Sequence, residues 1–152
     1  MELRSIWGVS IVDHDDETLG RIVDTLTRGG FHICAIASPY LKCHLAGDGA
    51  ATGATHSARE TGRAEQWAIL DRSLVVAARF DAPIVRAFSF WRVERPETVR
   101  DDVLTTLREA TSRVLAAGRL LGLENEYACN IATGAEAAWF LDRIPEPTLG
   151  LI

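Results

Sequence analysis

Residues 83–91, Pro-Ile-Val-Arg-Ala-Phe-Ser-Phe-Trp, and residues 121–126, Leu-Gly-Leu-Glu-Asn-Glu, are two short apolar runs that each end on charge. The first reads as a buried strand over Pro83–Phe88, and the second as an extended stretch over Gly122–Glu126. Between them Pro96 suits the first turn of a helix. Val99, Val103, Leu107, Ala110, Val114 and Leu121 continue that helix for roughly seven turns at 3.6 residues each. Strand, helix, strand is the unit of a parallel sheet, and the rest of the chain repeats it. Leu3-Arg4-Ser5-Ile6 opens extended. Leu19, Ile22, Val23 and Leu26 form the apolar stripe of a helix that Asp15 or Asp16 can cap and Gly29-Gly30 can stop. Phe31–Ala37 is rich in β-formers. Trp67, Leu70, Leu74 and Ala77/Ala78 restore the helical period up to Phe80. Thr133 and Glu136 form a capping box ahead of Ala137–Leu141, which Pro145 and Pro147 end. Thr148–Ile152 starts another strand, while Pro39 to about Arg63 reads as a long loop.

Five strands alternating with four helices predict an α/β protein with a parallel sheet. The strand openings fall roughly 36 residues apart, whereas a complete eight-stranded barrel runs ~250 residues, or roughly 31 per unit. A chain of 152 residues therefore holds about five units. Either an open doubly wound sheet or an incomplete (β/α)8 barrel has that size. Strands at both termini favour the second, because a terminal buried strand leaves backbone groups and apolar edges unpaired. The expectation is a piece of a larger barrel, cut at both ends.

Composition narrows the partners. Sixteen Lys+Arg against twenty-one Asp+Glu give a net charge of −5 and a pI of about 5.3. That balance argues against nucleic acid or an anionic membrane surface. No apolar run reaches the ~20 residues that span a bilayer, and Met1-Glu2-Leu3-Arg4 lacks the pattern of a signal peptide. Three cysteines are too few for a secreted disulfide scaffold. The expectation is a cytoplasmic, reduced protein.

In parallel α/β folds function gathers at the C-terminal ends of the strands. Here those ends are Arg4–Trp7, Ser38–Lys42, Arg86–Arg92 and Glu124–Glu126. A carboxylate at the tip of an apolar strand needs a cation, a base or a metal to meet it. Glu124 and Glu126, two apart, would face the same way on a strand and repel unless a divalent metal neutralised them. The plainer alternative is an ion-pair network in which Arg86 or Lys42 bridges the glutamates.

Taken together, Glu2-Leu3-Arg4, Ile36-Ala37-Ser38-Pro39 with Lys42, Arg86-Ala87-Phe88-Ser89-Phe90-Trp91 and Glu124-Asn125-Glu126 resemble the sugar phosphate isomerase/epimerase family of xylose isomerase-like TIM barrels. The resemblance covers nearly the whole chain and makes residues 1–152 one partial barrel domain. It lacks the first βα unit and the C-terminal units. It implies a reaction that isomerises or epimerises a sugar or sugar phosphate by proton transfer through an enediolate. A divalent metal (Mn, Mg, Zn or Co) serves the complete family site. Glu124 matches the family's metal ligand and acid/base carboxylate. Arg4, Lys42, Arg86, Trp91 and Glu126 match the substrate mouth, as does Glu2, and Trp7, Phe88 and Phe90 would offer apolar walls. The strand at Leu151-Ile152 resembles the one that would next give another metal ligand. With one expected ligand present, the chain alone is expected to hold no catalytic metal and to be inactive. Related barrels include dehydratases and abasic-site endonucleases. A different class of reading is a non-catalytic α/β assembly module that self-associates through its open sheet edges.

Other signals are weaker. Gly47-x-Gly49-x-x-x-Gly53 misses the dinucleotide spacing and lies mid-loop. Cys43-His44 near Cys34 has no metal-ligand spacing and reads as a surface thiol beside a loop histidine. His14 and His32 read as surface residues, His56 as a solvated loop histidine, and Trp67 and Trp139 as packing residues.

Overall fold

The structure is a computed structural model that describes residues 1–45, 59, 61–144 and 149–152. Its strands are β1 (Glu2–Leu3), β2 (Ser5–Ile6), β3 (Val9–Ser10), β4 (Ala35–Ile36), β5 (Ile84–Ala87), β6 (Leu120–Leu123) and β7 (Leu149–Leu151). Its α-helices are α1 (Asp16–Arg28), α2 (Arg63–Arg79), α3 (Arg100–Ala116) and α4 (Gly134–Leu141). Five strands form one sheet in the order β1-β4-β5-β6-β7, every neighbouring pair parallel. Strands that follow one another through a helix thus lie side by side, as in a barrel wall.

Strand alternation divides the sheet's residues between two faces. Val85, Ala87, Leu121, Leu123 and Leu149 are buried, as are Leu3 and Ile36. Helix α2 packs on β4 and β5, α3 on β6, and α4 on β7. The helices contribute Leu70, Val76 and Ala77 from α2, and Val103, Leu107, Ala110 and Val114 from α3. The opposite face carries Ile84, Arg86, Gly122 and Gly150. A Cβ on Gly122 would stand 2.9 Å from Ile84 Cγ2 and 3.3 Å from Ile152 Cγ2, so those neighbours leave no room for a side chain.

Several local expectations need correction. The apolar period that read as helix as far as Leu121 stops at Ala116. Gly118 takes a left-handed φ of +70°, and Leu121 belongs to β6. The strand read over Phe31–Ala37 is confined to Ala35–Ile36, with Phe31 exposed. The strand read over Gly122–Glu126 is Leu120–Leu123, which leaves both glutamates beyond its end. The extended opening divides into β1 and an antiparallel hairpin, β2–β3, turned by Trp7 and Gly8 at φ +52° and +79°. His14 is buried beneath that hairpin rather than on the surface, its Nε2 3.2 Å from the Ile6 carbonyl. Cys43 is buried rather than a surface thiol. Gly47, Gly49, Gly53, His56, Pro145 and Pro147 lie outside the described residues. No helix among the described residues is long and apolar enough to cross a membrane.

Candidate functional site at the carboxyl rim of the sheet

Parallel pairing of β5 with β6 sets Arg86 opposite Gly122 and Ala87 opposite Leu123. The chain leaving β6 then brings Glu124 back to Arg86. Arg86 Nη1 donates to Glu124 Oε2 at 2.8 Å and lies 3.7 Å from Oε1 of Glu2, the first residue of β1. The rest of the guanidinium is anchored below: Nε donates to the Ser38 carbonyl at 3.3 Å and Nη2 to the Ala37 carbonyl at 3.2 Å. All three guanidinium nitrogens thus donate a hydrogen bond, using three of the five N–H groups and fixing the plane of the buried arginine.

A second cation lies beside the first. Lys42 Nζ is 2.9 Å from Glu126 Oε2, an ion pair whose angle falls short of a hydrogen bond. Lys42 Nζ also sits 4.3 Å from the centroid of the Phe88 ring, and Arg86 Cζ sits 4.7 Å from it. One fully buried aromatic ring therefore serves both cations. Of the two alternatives left open by spacing, the glutamates are bridged, each by its own cation.

The loops that carry these groups are stapled together. Phe88 and Phe90 donate backbone N–H bonds to the carbonyls of Tyr40 and Leu41, both at 2.9 Å, and Trp91 donates to Cys43 at 2.8 Å. Leu41 and Phe90 hold left-handed φ values of +62° and +60°, conformations that cost a non-glycine residue roughly 1–2 kcal/mol each. Two buried amides fix them. Gln66 Oε1 accepts the Leu41 N–H at 2.8 Å, and Asn130 donates to the carbonyls of Ser89 and Trp91 at 3.0 Å each. Sequence reading passed over both amides. A glutamine on the apolar face of α2 was the available signal for Gln66; nothing local marked Asn130.

Other nominated residues are placed differently. Trp91 is largely buried, pairing in an antiparallel bridge with Cys129. Phe88 and Phe90 are fully buried, so they support the rim from below instead of walling it. Trp7 is 70% exposed at the hairpin tip. Arg4 is exposed and lines an open cleft of about 500 Å³ with Ser5, Asp13 and Arg59, where Arg59 pairs with Asp13. Cys129 is no nucleophile here, because burial pushes its thiol up to about 12.

Glu2, Glu124 and Glu126 are each matched to a cation. No group of three or more His, Cys, Asp or Glu residues that could hold a metal is present among the described residues. Hard divalent cations take about six oxygen ligands. This donor set does not fit a resident divalent metal.

Comparison with family models and with curated proteins gives no match. Solved structures do match. One is a xylose isomerase-like TIM barrel protein from Mycobacterium smegmatis in complex with magnesium, at TM-score 0.64 and 19% identity over 94% of this chain and 47% of that one. Another is a D-tagatose 3-epimerase-like protein, at TM-score 0.67 and 16% identity over 90% of this chain and 50% of that one. A third is an AP endonuclease of family 2 from Brucella melitensis, at TM-score 0.66 and 17% identity over 91% and 53%. The chain spans about half the length of these structures. The chain thus has the TIM-barrel fold of these structures, of which it builds an incomplete barrel of five parallel strands.

Proposed function

We propose that the carboxyl rim of this sheet is one wall of an isomerase or epimerase site for small polyhydroxylated carbonyl compounds. The observation that carries the proposal is Glu124, a carboxylate at the tip of β6 whose Oε2 is bonded to Arg86 while a third of its side chain stays open to solvent. A base needs such an arrangement: one oxygen fixed, the other free to take a proton. Glu124 would remove the proton from the carbon next to the substrate carbonyl, and the electron pair would move onto the carbonyl oxygen as an enediolate. Glu124, now carrying that proton, would return it on its own face, and Glu2, 3.7 Å from the same Arg86 Nη1, would supply a proton to the opposite face only when it enters in its acid form, leaving as the carboxylate. Return to the neighbouring carbon gives an isomer; return to the other face of the same carbon gives an epimer. Arg86 and Lys42 would orient the carboxylates, with Glu126 as a further contact to the substrate, whereas Arg4 lines the separate cleft beside β2–β3.

Glu124 is also the residue we would offer as a metal ligand in a longer protein. Because the donor set present does not fit a metal, none of these steps is routed through one. The dehydratase reading shares the first proton removal. The endonuclease reading sits poorly with a rim that shows carboxylates to the solvent, since DNA binding rests on neutralising phosphates.

The test is deuterium incorporation. A panel of ketoses and aldoses is incubated with the protein in D2O and watched by proton NMR at the carbon next to the carbonyl. Although the chain alone is expected to lack the complete isomerase turnover, the proposal expects the first step, exchange at that carbon, to run above the uncatalysed rate and to fall roughly 100-fold or more in Glu124→Gln. Exchange that persists unchanged in that variant would remove Glu124 from the chemistry.

A further inference from the structure

We infer that this rim takes uncharged polyols and discriminates against phosphate esters, an inference that rests on the reading of the rim as a sugar site. Charge here is layered by depth. The Arg86 and Lys42 side chains are 10% and 7% exposed, whereas Glu124 and Glu2 are 34% and 42% exposed. Three carboxylates against two cations leave one net negative charge.

The cations are also already committed. The Arg86 guanidinium donates to Glu124 and to the carbonyls of Ala37 and Ser38, and Lys42 is engaged by Glu126 and the Phe88 ring. A phosphate approaching from solvent meets carboxylate oxygens before it meets either cation. To reach Arg86 it would have to displace Glu124, leaving that carboxylate uncompensated. Hydroxyl groups face no such barrier. They donate, and each ionised carboxylate offers about four lone-pair sites, of which Glu124 and Glu2 use few. Repulsion between a dianion and carboxylates a few ångströms away, at the dielectric of a protein surface, weakens binding by roughly tenfold or more.

The experiment compares matched pairs on the chain as it exists. Neutral ketoses and aldoses are titrated against their terminal phosphate esters, beginning with D-fructose and D-fructose 6-phosphate, with binding followed by ligand-observed NMR. The expected result is that neutral sugars bind roughly tenfold or more tightly than their esters, and that Glu124→Gln narrows the gap. If the esters bind as well as or better than the neutral sugars, the inference fails while the sugar-site reading stands. Loss of that ester binding in Arg4→Gln would then assign the phosphate to the cleft beside β2–β3. If no sugar of either kind binds, the site reading and the inference fall together.

Discussion

Arg86 holds the site together at the scale of single residues. It is 8% exposed, and its bonds reach β1, the stretch after β4 and the stretch after β6. Replacing it with methionine keeps much of the volume but strands the Ala37 and Ser38 carbonyls and frees Glu124 and Glu2 to repel. Because Glu124 is partly solvated, we expect the loss to lie below that of a fully buried pair, at about 2–3 kcal/mol by denaturant unfolding. Arg86→Lys should recover little of it, since one ammonium cannot reproduce the planar fork. A change under ~0.5 kcal/mol would show that the guanidinium is not structurally committed. Sequence spacing identified Glu124, Glu126, Arg86 and Lys42 as neighbours at strand ends. It could not say which cation meets which carboxylate, because strand register decides that, and register depends on residues far apart in the chain.

Among the elements, helix α4 shows how local signals and long-range contacts combine. Thr133 and Glu136 make the capping box the sequence predicts, with Thr133 Oγ1 accepting the Glu136 N–H at 3.2 Å. The structure adds what the motif could not reveal. Glu136 Oε1 accepts from Arg92 Nη2 at 2.7 Å, tying the helix start to the stretch after β5. That bond first, then the Ala132 and Thr133 N–H groups, holds the Glu136 carboxyl at about 2, below its usual 4.5. A carboxyl depressed in the folded state contributes stability that is present above about pH 4.5 and lost as pH falls towards 2. We therefore expect Glu136→Gln to be less stable than the parent at pH 7 and to converge with it near pH 2, measured as the difference in Tm. A difference that does not change with pH would show that the ion pair is not the source. The helices were otherwise legible from periodicity and caps. The strands were not, because two- to four-residue strands leave little pattern, and the apolar period of α3 runs on into Leu121 across the Gly118 turn. His14 departs from its expected surface position for a related reason: its cover is a hairpin that no local signal announces.

For the whole molecule, β1 and β7 are the edge strands of the sheet among the described residues, with Met1, Leu151 and Ile152 exposed beside them. Unpaired edges and apolar side chains together favour association, either with further barrel units or with another copy. We expect a concentration-dependent sedimentation coefficient that Leu151→Lys reduces; a monomer at all concentrations would show these edges to be inert. Association of that kind is separate from the rim, where the claim about function rests. The most direct test of that claim is an amide and guanidinium nitrogen–proton NMR spectrum recorded during titration with a neutral ketose. The account predicts that shifts concentrate at Arg86 Nε, at the amides of Glu124 and Glu126, and around Lys42. Shifts confined to the cleft lined by Arg4, or spread without focus over the surface, would contradict it.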